Sequence, residues 1–170
     1  MPLITDTASG EWGEASATFS ADRDHRYLLT RTWDASLLSV NFLMLNPSTA
    51  DAFQLDPTNR RCVGFAQRWG YGSIVTTNIF AFRSTDPVGL RTAADAVGPK
   101  NDDAILSAAK SADLVIAAWG THGDLQDRGN AVRKMLGEAG IALHTLRLTK
   151  AGHPGHPLYV LGDTVPTLWV

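Results

Sequence analysis

Apolar residues along the chain fall into short dense runs, separated by stretches with helical spacing. LLSVNFLMLN (37–46) is almost continuously apolar and does not alternate, the pattern of a strand buried on both faces. SIVTTNIF (73–80) is a β-branched strand, DLVIAAWG (113–120) a third and IALHTLRL (141–148) a fourth. Between the first two, Val63, Ala66 and Trp69, with Phe65 beside them, define one face of a helix over 58–69 that Gly70 and Gly72 end. Pro99 opens a helix through about 110, and Ala131, Val132, Met135 and Leu136 mark the inward face of a helical segment over 124–139. Upstream, ATFS (17–20) and YLLTRTWD (27–34) read as a hairpin joined by the polar turn ADRDHR. Residues 1–16, rich in Ser, Thr, Gly and Glu, read as a loose N-terminal arm. Apolar strands alternating with helices predict one α/β domain over 17–170. Its expected form is a three-layer α/β/α architecture with a central four-stranded, mostly parallel sheet plus an N-terminal β-hairpin.

Composition narrows the function classes. A chain of 170 residues is one domain's worth and can bury a sufficient core without staples. Cys62 is the single cysteine, which excludes an internal disulfide and any multi-cysteine metal or cluster site. The formal charge of −2 gives no broad electrostatic footprint for nucleic acid or membrane, so contacts to phosphate must be local. No apolar run approaches the ~20 residues of a membrane span. The start MPLITDTASGEWGEAS lacks the basic and apolar regions of a secretory signal. A cytoplasmic, monomeric protein without cofactor or membrane partner is expected.

The ends of the apolar strands carry the candidate chemistry, because ligands of open parallel sheets bind beyond the strands' carboxyl ends. Asn46-Pro47 follows the first strand, Asn78 closes the second, Trp119-Gly120-Thr121-His122 follows the third, and His153 to Leu158 follow the fourth. Each also has a plain structural reading: a turn for Asn46-Pro47, a core amide for Asn78, a surface histidine for His122. The string GHPGHPL fixes its backbone with two prolines and two glycines and so holds His153 and His156 in a defined relation. The same spacing also suits a zinc site completed by Asp51, Asp56 or His122, although no helical HExxH or cysteine pair supports it. Asp51 and Asp56, in the long loop after the first strand, suit a general base and equally a turn or helix cap. Arg60, in the first turn of the following helix, and Arg83, after Asn78, are candidate phosphate contacts or solvated arginines.

These strings resemble two families. MLNPSTAD, TNIFAFRSTDP, a GPxND helix start and the GHPxHPLY ending resemble an uncharacterised bacterial domain family over roughly 25–162, with no activity attached. More distantly, the set is similar to the uracil-DNA glycosylase superfamily. Met44-Leu45-Asn46-Pro47 resembles its water-positioning motif, Asn59-Arg60 the pair before a helix in its mismatch-specific branch, and Asn78 its base-reading asparagine. Trp119-Gly120-Thr121-His122 resembles its third-strand motif, and His153 to Leu158 its late histidine motif. The resemblance implies that Asn46 positions the attacking water and that Asn78 reads the base. It also implies that His153 (or His156) stabilises the leaving base. Pro47 and Ser48 would shape the base pocket, Phe53, Phe80 or Phe82 would stack on the base, and Leu158 or Tyr159 would fill the vacated space. Three departures stand out: Asn46 replaces the Asp of the most active branches, Ser48 replaces an aromatic residue, and the late motif has Gly155 and one extra residue. The leading expectation is a DNA glycosylase-type hydrolase. A non-catalytic base-binding module and a hydrolase or transferase acting on a free nucleoside or nucleotide are the alternatives.

Overall fold

The computed structural model describes residues 2–170. It places β1 (Ile4–Gly10), β2 (Gly13–Phe19), β3 (Arg26–Thr32), β4 (Ser39–Met44), β5 (Ser73–Asn78), β6 (Leu114–Ala117), β7 (His144–Thr145) and β8 (Thr167–Leu168) in one sheet, ordered β1-β2-β3-β5-β4-β6-β7-β8. Helix α1 (Pro57–Arg68) covers one face; α3 (Asn101–Ser111) and α4 (Arg128–Glu138) cover the other, and α2 (Pro87–Thr92) is a short turn of helix ahead of them. The period of two along β4 shows why the sheet is buried on both sides. Val40, Phe42 and Met44 join Cys62, Phe65 and Ala66 of α1, whereas Leu43 joins Ile105 of α3 and Val132 and Leu136 of α4.

The chain is α/β, but the expected central four-stranded, mostly parallel sheet is overturned. The sheet is eight-stranded and mixed, with more antiparallel than parallel pairings: β1–β2, β2–β3, β3–β5 and β7–β8 are antiparallel, and β4–β5, β4–β6 and β6–β7 parallel. The hairpin is therefore no appendage. Leu29 to Thr32 of β3 pair with Thr76 to Ser73 of β5 and satisfy backbone groups that an open parallel edge leaves exposed. Residues 4–10, read as part of a loose arm, form the edge strand β1. Small polar residues hide it from a hydrophobicity pattern, and its order comes from its paired backbone with β2 rather than from burial. At the other edge, the expected strand over 141–148 contracts to His144 and Thr145, and the C-terminal β8 pairs with it. Among the described residues no helix is long and apolar enough to cross a membrane.

One consequence reaches the loop after β4. Ala17, Phe19 and Leu29 of the hairpin form a small apolar cluster with Ala50, Ala52 and Leu55 of that loop. The hairpin thus holds a segment that would otherwise have no regular structure to fix it. Phe19 is 1% exposed. Phe19→Ala is expected to cost about 3–4 kcal/mol in urea denaturation and to open the 45–56 loop to proteolysis before global unfolding. Protection of that loop equal to the wild type would remove the hairpin's buttressing role.

Candidate functional site

Strands β5, β4, β6 and β7 run parallel, so their carboxyl ends meet on one side of the sheet. A cleft of about 580 Å³ opens there, within the range of small-ligand sites. Asn46, Pro47, Ser48, Asn78, His122, His156 and Leu158 all line it. The structure therefore brings together, from segments far apart in the chain, most of the residues that strand-end reasoning singled out.

Asn46 is held in one orientation. Its Nδ2 donates to the carbonyl oxygens of Ser84 at 2.8 Å and Pro47 at 3.1 Å. Two carbonyl neighbours require the nitrogen on that side, so Oδ1 is left as an acceptor with no protein donor among the described residues. The same geometry explains why this position holds Asn rather than Asp. A carboxylate would set negative oxygen against two carbonyl oxygens.

Asn78, 2% exposed, is oriented by a residue that the sequence did not flag. Arg26, the first residue of β3, is also 2% exposed and forms part of the cleft wall. Its Nη1 donates to the Ala50 carbonyl at 2.9 Å and its Nη2 to Asn78 Oδ1 at 3.4 Å. With Oδ1 so engaged, the Nδ2 donor of Asn78, a cleft-lining residue, has no protein acceptor among the described residues. Burial pulls the Arg26 guanidinium down to about 10, with Asp56 and Asp51 opposing the shift and Arg83 adding to it; the group stays cationic at neutral pH. A cation opening an apolar strand ordinarily reads as a solvated end, which is why no sequence signal marked it.

The two histidines of GHPGHPL separate. His153 donates its backbone N–H to Thr149 Oγ1 and is not part of the cleft wall. His156 lines the cleft, and its Nδ1 accepts from the Leu158 backbone N–H at 3.2 Å. The proton of the neutral ring therefore sits on Nε2, which becomes a free donor. Burial pushes the His156 pKa below its usual value, against a weaker opposing pull from Asp56, so the neutral donor form is favoured. Arg61 of α1 anchors this turn by donating from Nε to the Pro157 carbonyl at 3.0 Å and from Nη2 to the Val160 carbonyl.

Other candidates lie elsewhere. Asp51 accepts the Phe53 and Gln54 backbone N–H groups and shapes its own loop, outside the cleft wall. Asp56 caps α1 through Asn59, yet it is the one carboxylate among the lining residues. Arg60 donates to the Leu55 carbonyl and does not face the cleft. Phe80 is buried in the core under α3 and α4, and Phe53 is 67% exposed and apart from the cleft. Arg83 lines a shallow neighbouring depression that shares Ser48, Ser84 and Thr85 with the cleft. Trp119, Arg147 and Tyr159 complete the rim. Trp119 is packed against Gly123 so closely that a Cβ there would lie 2.1 Å from its ring. Among the described residues no group of three or more His, Cys, Asp and Glu side chains is placed to hold a metal.

A family described as a protein of unknown function (DUF1643) matches residues 26–158, a span that runs from Arg26 to Leu158 and so takes in nearly the whole cleft wall. Neither a curated protein nor a solved structure matches the chain.

Two outcomes follow from the geometry. Asn46→Asp is expected to lower stability at neutral pH by about 1–3 kcal/mol in urea denaturation, because two carbonyls lose their donor; unchanged stability would remove the orientation argument. A histidine whose folded pKa is depressed is protonated first in the unfolded chain. The contribution of His156 is therefore full above about 6.5 and is lost as pH falls below it. Its ring should titrate below 6.5 by NMR, and His156→Gln should flatten the acid side of the pH–stability profile relative to the wild type. A midpoint above 6.5 would contradict the assignment.

Proposed function

We propose that this chain, which belongs to the DUF1643 family of unknown function, hydrolyses the N-glycosidic bond of a base extruded from DNA. The observation that carries this reading is the convergence of an oriented acceptor and two oriented donors across one cleft: Asn46 Oδ1, His156 Nε2–H and Asn78 Nδ2. These are the groups needed to hold a water beside a sugar carbon and to hold the base that leaves it.

The residues then divide the work. Asn78 donates to a carbonyl on the base edge. His156, as a neutral imidazole, donates to the base and stabilises the charge that grows there as the bond breaks. Asn46 accepts a hydrogen bond from the attacking water and aims it at the anomeric carbon. An amide takes no proton from that water, so the proton passes to Asp56, the lining carboxylate. Leu158 and Tyr159, 42% and 77% exposed at the rim, supply apolar surface to occupy the gap left by the extruded nucleotide. Arg83, in the depression beside the cleft, provides the local phosphate contact that a chain of net charge −2 otherwise lacks.

The test is a strand-cleavage screen after alkali treatment. Substrates are single- and double-stranded DNA carrying uracil, mismatched thymine, hypoxanthine or hydroxymethylated bases, with free nucleosides assayed alongside. Asn46→Ala and His156→Ala should each lower excision by about 10²-fold or more, the loss typical of a removed transition-state donor or positioning group. His153→Ala should leave it unchanged. Release of base from free nucleosides but not from DNA would replace the DNA reading with a nucleoside hydrolase. No release from any substrate at high enzyme would refute hydrolysis.

A further inference from the structure

Arg26 presents a problem of charge. The side chain is 2% exposed, and no carboxylate lies within ion-pair distance: among the described residues the ion pairs are Arg23–Asp6 and Arg128–Asp102. The chain shows what a buried structural arginine looks like. Arg128 is 9% exposed, spends its Nε on the Ile79 carbonyl and takes Asp102 as counter-ion at 2.6 Å. Arg26 has neutral oxygens only, from Ala50 and Asn78, and its Nε–H is buried with no partner at all. An uncompensated buried cation and an orphaned charged donor both cost stability, and neither is retained readily for structure alone. The difference between the two arginines is their place. Arg128 is the first residue of α4 and is not among the cleft residues, whereas Arg26 forms part of the cleft wall.

We propose that Arg26 receives an oxyanion of the ligand, so that the missing counter-ion is delivered by whatever fills the cleft. Resting on the glycosidic-bond reading above, that oxyanion is the departing base itself. When the C–N bond breaks, its electron pair leaves with the base and spreads onto the ring carbonyl oxygens. The negative charge then faces Arg26 and the Asn78 Nδ2 donor, no proton has to reach the base in that step, and solvent protonates it afterwards. The wall formed by Arg26 and Asn78 is donor-only. It favours a base with oxo groups on its polar edge and opposes one with an exocyclic amine, which would set donor against donor.

Binding of small probes to the intact protein tests this separately from excision. Barbiturate has the uracil ring and is anionic at neutral pH; uracil is its neutral counterpart, cytosine carries the amine, and orthophosphate is an oxyanion that is not a base. By calorimetry, barbiturate is expected to bind at least about tenfold more tightly than uracil. Cytosine should be weaker than either. Arg26→Gln should remove the preference for barbiturate over uracil, and Arg26→Lys should restore part of it; should the Gln variant not fold, the Lys variant and the wild-type ratio still decide. Orthophosphate binding that depends on Arg26, without barbiturate binding, would keep the oxyanion site and reject the base reading. Barbiturate held no more tightly than uracil, with no Arg26-dependent phosphate binding, would overturn the proposal. So would anion affinities unchanged in both variants.

Discussion

A single buried guanidinium connects the parts of this molecule that matter for function. Arg26 comes from the start of β3, holds the loop after β4 at the Ala50 carbonyl and fixes the amide of Asn78 at the end of β5. Three segments that meet only in the folded state are thereby registered against one another at the cleft. Hydrogen bonds from a charged donor to neutral acceptors are stronger than neutral ones, but they do not cancel the cost of keeping the charge out of water. The arrangement is held in place by its surroundings, chiefly by the apolar cluster in which the hairpin grips Ala50, Ala52 and Leu55.

That dependence gives the antiparallel half of the sheet a functional meaning. The parallel strands supply the carboxyl ends at which a ligand binds, as in other open α/β sheets. They do not by themselves supply a cation, nor do they restrain a loop of roughly a dozen residues. Both come from β2 and β3: β3 pairs with β5, the outer strand of the parallel half, and β2 pairs with β3. α1 contributes on the other side: Asp56 caps it at the cleft, and Arg61 reaches from its first turns to the carbonyls of Pro157 and Val160. The loop bearing His156 is therefore positioned by a helix and the loop bearing Asn46 by a hairpin.

What the sequence made legible follows from range. Strand ends are local features, so Asn46, Asn78, His122 and the GHPGHPL turn were found as a set, and the cleft gathers most of it. The buried runs of β4 and β5 were equally plain, since burial on both faces leaves an unbroken apolar signal. β1 is invisible to a hydrophobicity pattern because ITDTASG packs little and is ordered by backbone pairing, with the Asp6–Arg23 ion pair and the Thr5–Thr18 hydrogen bond beside it. Arg26 was invisible for the opposite reason: its environment is built by three distant segments, and no local pattern distinguishes it from a solvated arginine. The choice between His153 and His156 depended on which ring the turn directs inward, a matter of backbone geometry that spacing does not encode. Arg60 and Arg61 show the same limit, since adjacent positions on a helix face different ways and only Arg61 reaches the cleft turn.

The chemistry available to the cleft is asymmetric. Asn46 is locked with its nitrogen toward two carbonyls, and in the proposed reaction its free oxygen would orient a water without activating it. Asp56, the lining carboxylate, already spends Oδ1 on Asn59, so proton removal would contribute only weakly to the proposed reaction. The same cleft holds a neutral imidazole donor, an amide donor and a buried cation, all able to stabilise negative charge in a site partly removed from water. In the proposed reaction, a barrier lowered in this way is lowered by making the leaving group better, so that water would attack a sugar that has already parted with most of its base. Asn in place of Asp at position 46 then fits the balance of the site as a whole. A carboxylate there would strain against its two carbonyl neighbours while assisting a step that, in the proposed reaction, the donors already make easier.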